Sequence, residues 1–167
     1  MDVSTGISAV IITHNESANI ARCIKSVNDL VDEVLVVDSY STDNTCEIAK
    51  NLGARVIEHP FEGHIQQKNW AKDQATFHWV LSLDADECLS DELRIHLQNA
   101  IKNGLLYGQT KGFDFSRLNH LGDLPIRGCG WYPDTKLRLW DRRCGNWSGR
   151  NPHDKFVIQP KYPIDKM

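Results

Sequence analysis

An α/β fold built on a mostly parallel sheet is what this sequence predicts, and three observations carry that expectation. Between residues 7 and 101, short apolar runs alternate four times with stretches of helical periodicity. The runs are near-continuously apolar, as in strands buried on both faces. Three of them stop at polar or acidic clusters, on the edge where such sheets bind ligands.

Each element has its own signal. Ile7 to Thr13 is β-branched and short, which predicts a buried strand. Asn15-Glu16-Ser17 supplies a helix start, and Ile20, Ile24 and Val27 follow at helical spacing. Val34 to Val37 forms a second strand that stops at Asp38. Ser41-Thr42-Asp43-Asn44 opens a second helix, which Gly53 ends. Arg55 to Ile57 is a third strand, and Pro60 and Gly63 lead into a helix near Gln66 to Gln74. Trp79 to Leu83 is a fourth strand ending at Asp84. Ser90-Asp91-Glu92 then caps a helix through Leu93, Leu97 and Ile101.

From residue 104 the character changes. Glycines and tryptophans become frequent, and short alternating runs appear at Phe113 to Leu118, Lys136 to Trp140 and Lys155 to Ile158. These predict a mixed or antiparallel extension of the same sheet. The expected organisation is one domain over 1–167. Residues 6–103 form one half and 104–158 the other. Residues 159–167 read as a loose end, with truncation of a longer protein as the open alternative.

Composition narrows the class. The formal net charge is -3, so there is no global basic field to favour bulk nucleic-acid binding. Five cysteines, an odd number without a Cys-x-x-Cys pair, argue against a disulfide framework or a zinc site and suit a reducing compartment. No basic segment leads into a long apolar run, and no stretch approaches the ~18 apolar residues of a membrane span. The expectation is a cytoplasmic protein, with peripheral contact at the inner face of a membrane left open.

Three clusters converge on one sheet edge: Thr13-His14-Asn15-Glu16, Asp38 to Asp43, and Asp84-Ala85-Asp86-Glu87. Asp84 and Asp86 are two apart, so in an extended segment they point the same way. Paired carboxylates of this kind hold a hard divalent cation, Mg²⁺ or Mn²⁺, together with substrate phosphates or a ribose hydroxyl. No glycine-rich phosphate loop follows the first strand, which disfavours a sugar nucleotidyltransferase or a dinucleotide oxidoreductase.

These clusters together resemble family 2 glycosyltransferases of the GT-A fold, over about residues 6–158, which implies that 6–103 is a nucleotide-sugar-binding half and 104–158 an acceptor and catalytic half. A nearer resemblance is to the bacterial lipopolysaccharide-core glucosyltransferase-like branch. It is carried by Pro60-Phe61-Glu62-Gly63, Gln67-Lys68-Asn69, Gly130-Trp131-Tyr132-Pro133-Asp134 and Arg138-Leu139. The resemblance implies an inverting transfer of a hexose, by expectation glucose, from a nucleotide diphosphate sugar, by expectation a UDP-sugar. The acceptor would be a hydroxyl of a cell-surface glycan, lipid-linked glycan or lipopolysaccharide core. It further implies that Asn15, Glu16, Lys68 and Asn69 line the nucleotide pocket and that Asp38 pairs with the base. Asp84 would reach the ribose or the metal, and Asp86 would be the main metal ligand.

The same resemblance places the general base at Asp134, although Pro133 stands where the family commonly has a second acid. On the residues alone, Pro133-Asp134 also reads as a turn. Arg138 would meet the diphosphate or brace Asp134, and otherwise reads as a strand cation. His153 would be an extra metal ligand, and otherwise a loop histidine. Trp131 and Tyr132 would contact sugar, or else fill the core of the second half. A nucleotide-binding fragment without catalysis remains the non-enzymatic alternative.

Overall fold

A computed structural model describes residues 6–122, 124–128, 130–151 and 153–167. Its spine is a seven-stranded sheet in the order β11-β5-β8-β4-β1-β2-β3. The strands are β1 (Ile7–Thr13), β2 (Glu33–Asp38), β3 (Arg55–Glu58), β4 (Trp79–Asp84), β5 (Gly112–Arg117), β8 (Asp134–Asp141) and β11 (Ile164–Lys166). β4, β1, β2 and β3 are mutually parallel, while β8 runs antiparallel between β4 and β5. Two short hairpins stand apart, β6 (His120–Leu121) with β7 (Leu124–Pro125), and β9 (Gly145–Arg150) with β10 (His153–Ile158).

Both faces are covered at the centre of the sheet, which is why β1, β2 and β4 are almost wholly buried and mostly apolar. On one face pack α1 (Ile20–Lys25), α2 (Thr45–Asn51) and α4 (Asp91–Lys102), through Ile20, Ile24, Ala49 and Leu97. On the other pack α3 (His64–Asp73) and the β9–β10 hairpin, through Ala71, Trp147 and Phe156. Trp140 links sheet to hairpin, stacking on Phe156 with ring centroids 3.8 Å apart.

One irregularity of β8 bears on the site. Phe113 opposes Leu139, but Asp114 opposes Leu137, so Arg138 is the extra residue of a β-bulge. Leu139 accordingly joins the core under α1 and α4, whereas Leu137, two residues away, packs against the opposite core.

The structure departs from the sequence expectation at four places. α1 begins at Ile20, and Asn15 to Ser17 form a connecting loop. Residues 159–167 are not a loose end: Ile164–Lys166 pair in parallel with Gly112–Asp114, and Met167 packs on the core. The β6–β7 hairpin carries no apolar pattern that announced it. β9 and β10 form their own two-stranded sheet, so the Lys155 to Ile158 run lies outside the main one. Cys23 and Cys144 are buried free thiols, Cys46 is half-buried and Cys88 exposed, while Cys129 lies outside the described residues.

Candidate active site

The carboxyl ends of β1, β2 and β4 open onto a cavity of about 640 Å³. Its walls come from the end of β1 (Ile12, Thr13) and the loop after it (His14, Glu16), Ser39 after β2, Gln67 and Lys68 of α3, Asp84 to Asp86, and Asp154 of β10. The loops after β1 and β2 are tied to each other by polar contacts. Asn15 donates its backbone N–H to Ser41 Oγ (2.7 Å) and accepts from Thr42 N–H (2.8 Å), and Glu16 N–H reaches Thr45 Oγ1 (2.8 Å). Asp43 accepts from Ser17 and Thr45 and is held below the usual carboxylate range, chiefly by the Thr45 hydroxyl. These ties occupy the segment that would otherwise have begun the helix. They also hold Asn15 (φ 54°) and Tyr40 (φ 59°) in left-handed backbone, a conformation that bulky residues seldom adopt.

At the cavity floor stands Lys68, 6% exposed. Its ammonium lies 3.0 Å from Asp84 and 2.9 Å from Asp154, and 4.6 Å from the Trp147 ring centroid. Asn69 beside it exchanges two 2.9 Å hydrogen bonds with the Trp147 backbone, which fixes α3 against β9. Burial alone would push the Asp84 carboxyl up. The Lys68 ammonium and Arg138 guanidinium outweigh it and hold Asp84 below the usual carboxylate range.

A ladder of charges runs from this floor to the far side of β8. Arg138, nearly buried at the bulge, reaches Glu87 and stands 3.6 Å from Asp84. Glu87 also accepts from the Asp84 backbone N–H (3.1 Å) and pairs with Arg117 at 3.4 Å. Arg117 donates to Asp134 Oδ2 from two nitrogens, at 2.9 and 2.6 Å, and Lys136 meets Asp134 Oδ1 at 2.9 Å. Burial pushes the Asp134 carboxyl up. The hydrogen bonds from Lys136 and Arg117, with their charges, carry it below the usual range.

The sequence-derived candidates are therefore distributed unevenly. Glu16, Lys68, Asp84 and Asp86 meet at the cavity. Asp38 is fully buried, its carboxylate engaged by the Ser41 N–H (2.7 Å) and hydroxyl, and the neighbouring Ser39 faces the cavity instead. Asn15 and Asn69 act on the scaffold through the contacts above. His153 is exposed, while the adjacent Asp154 lines the cavity. Trp131 and Tyr132 are exposed rather than core, with the Arg127 guanidinium 5.6 Å from the Tyr132 ring. Sequence reasoning missed Arg117, Asp154 and the bridging part of Glu87. Arg117 announces itself only through register, because it sits directly opposite Asp134 on β5 and β8.

Two observations bear on what the cavity could hold. Thr13 Oγ1 is a buried hydroxyl at its wall without a hydrogen-bond partner among the described residues. Asp86 is exposed, and no cation among the described residues lies within ion-pair distance of its carboxylate. A free carboxylate beside a cation-paired one, in an all-oxygen donor set, fits Mg²⁺ or Mn²⁺, which take one or two protein carboxylates and complete their shell with phosphates and water.

Known proteins resemble this chain in sequence and in fold. An uncharacterised glycosyltransferase of Rickettsia felis is 53% identical over 92 residues, covering 55% of this chain and 32% of its own length. The lipopolysaccharide core biosynthesis glycosyltransferase LpsC of Rhizobium meliloti is 36% identical over 93 residues, covering 53% and 34%. The chain thus spans about a third of the length of these relatives. Among solved structures, glucosyl-3-phosphoglycerate synthase of Mycobacterium tuberculosis with UDP superposes at a TM-score of 0.62 and 24% identity, covering 84% of this chain and 58% of that one. The same enzyme with Mn²⁺, UDP and glucosyl-3-phosphoglycerate gives 0.53 and 25%, covering 66% and 43%. These likenesses establish the GT-A fold. The family model described as glycosyl transferase family 2 matches residues 8–157, from the first strand to the β9–β10 hairpin, and the chain belongs to that family.

Proposed function

We propose that this chain carries the donor site and catalytic base of an inverting glycosyltransferase. It would move a hexose, glucose by preference, from a UDP-sugar to a hydroxyl of a cell-surface glycan or lipopolysaccharide-core acceptor. The observation that carries the reading is the cavity where Lys68, Asp84 and Asp86 meet at the ends of β1 and β4, in a chain of this family. The relatives crystallised with UDP and Mn²⁺ support the donor and metal, and LpsC supports the acceptor class.

In this reading Thr13 and Glu16 border the nucleotide, while the buried Asp38 fixes the loop against which the base lies. Asp86, with Asp84 beside it, would hold Mg²⁺ or Mn²⁺, whose charge stabilises the departing diphosphate. Lys68 and Arg138 keep Asp84 ionised and aimed at the donor. Asp134 takes the proton of the acceptor hydroxyl as its oxygen bonds to the anomeric carbon. The carbon–oxygen bond to the diphosphate breaks on the opposite face, the electron pair leaving with the nucleoside diphosphate. Trp131 and Tyr132, exposed beside Asp134, offer flat apolar surface for a sugar. No helix among the described residues is long and apolar enough to cross a membrane.

The test is Asp134→Asn. The substitution keeps shape and removes the base, so transfer falls by roughly 10²–10⁴-fold, while UDP affinity with Mn²⁺, measured by calorimetry, stays at the wild-type value. A fully active variant would remove Asp134 from the mechanism, and a product of retained anomeric configuration would remove inversion. A second reading is favoured by the chain's third-length share of its relatives: a donor-binding unit that is not catalytic by itself. UDP-sugar hydrolysis by the isolated chain separates the two.

A further inference from the structure

Asp134 is fully engaged by cations. Oδ2 receives two nitrogens of Arg117 and Oδ1 receives Lys136, so neither oxygen faces an approaching hydroxyl without a competing positive charge. The arrangement is built into the strands. Arg117 is the cross-strand partner of Asp134, and Lys136 lies two residues along β8 on the same face. Both cations are more exposed than the acid between them, at 37% and 41% against 25% of the side chain. Their outer sides look to solvent at the end of the sheet where the acceptor would arrive. Arg117 has Glu87 as a second partner, whereas Lys136 has no acid other than Asp134 among the described residues.

A neutral acceptor reaching Asp134 would have to part these ion pairs and offer nothing in return. An acceptor with its own negative charge replaces what it breaks. We infer that the acceptor carries an anionic substituent, a phosphate or carboxylate near the hydroxyl that is glycosylated, and that this anion binds Arg117 and Lys136. The inference rests on the reading of Asp134 as the base. In the free protein the two cations hold Asp134 ionised, weakly basic and aligned. The acceptor anion draws them outward, so Asp134 regains proton affinity only when a hydroxyl is in place. The next charged groups along the ladder are Glu87, which pairs with Arg117, and Arg138, which pairs with Glu87. Arg117 and Lys136 are then both positioning residues for the base and the determinants of acceptor charge.

The experiment titrates methyl phosphate and, separately, acetate into the full chain with UDP and Mg²⁺ at saturation, following by NMR the backbone amide signals of residues 116, 117, 135 and 136, which every variant retains. Filling the donor cavity keeps the small anion from the diphosphate position. If UDP itself fails to bind, the donor reading fails, and the anion titration still stands. The expected result is saturable binding by one or both anions, weakened about tenfold by Arg117→Gln and by Lys136→Gln, as loss of a charge-assisted contact predicts. Asp134→Asn removes the competing carboxylate and tightens binding, a gain that misfolding cannot produce. Equal affinity in wild type and Arg117→Gln, or no gain in Asp134→Asn, overturns the inference, as does an anion that perturbs Lys68 and leaves Arg117 unmoved. The stronger of the two ligands distinguishes a phosphorylated from a carboxylated acceptor.

Discussion

Lys68 shows how one side chain can hold a site and a fold together. Its ammonium is taken from water and set between two carboxylates, an arrangement whose desolvation cost is offset only while both partners are present. Lys68→Met leaves Asp154, 6% exposed, without a counter-charge. The variant is expected to lose about 3 kcal/mol of unfolding free energy, as removal of one partner from a buried pair generally does. Adding Asp154→Asn to it should restore part of the loss, which urea denaturation of the single and double variants will reveal. Nucleotide affinity should not recover with stability, because Asp84 still lacks the nearer of the two cations that keep it ionised.

Among the elements, the joint between α3 and β9 is the one most dependent on polar contacts. Asn69 exchanges a donor and an acceptor with the same backbone position, Trp147. Asn69→Ala removes both bonds and strands a half-buried N–H and C=O, so a loss of about 2 kcal/mol is expected from two hydrogen bonds of ordinary net worth. Amide exchange of Trp147 should rise with it, while β1 and β2 keep their protection. The elements were legible in the sequence to the extent that hydrophobic periodicity forms them. β1, β2 and β4 lie at their predicted places because they are buried on both faces. The start of α1 was misplaced because Asn15 to Ser17 spend their polar groups on the loop at 41–45, a contact between segments some 26 residues apart. β11 is three residues long, all exposed, and exists only through its pairing with β5. The acids of the site were legible as clusters after strands. Arg117 and Asp154 were not, since they are delivered by cross-strand register and by a hairpin, which no local pattern encodes.

At the level of the whole molecule, several carboxylates are held ionised by the fold, and this sets its response to acid. Asp84 and Asp134 lie below the ordinary range for the reasons given above. Burial pushes Glu33 up, but hydrogen bonds from Ser8, Thr76 and Arg55 carry it below its usual value, and Arg143 does the same for the buried Asp141. Each group has a lower pKa folded than unfolded, so the unfolded chain binds more protons as pH falls. The stabilisation is complete above the unfolded values, about 4, and is lost as pH drops through the folded ones. Urea midpoints should be level from about pH 8 to 5 and should fall steeply below about pH 4. A midpoint unchanged at pH 3 would mean that these ion pairs contribute nothing to folding.

The bulge at Arg138 has a consequence for the whole catalytic edge, because it acts as a half-period phase shift along β8. Past it, Leu139 points to the α1–α4 layer; before it, Leu137 points the other way, which leaves Asp134 and Lys136 on the same layer as Arg117. An unshifted strand would carry the acid on one side of the sheet and its guanidinium partner on the other. Parity, the odd or even count of residues between Leu139 and Asp134, is thus a constraint on this stretch as strict as residue identity. Changes of two residues preserve the pairing, and a change of one inverts it.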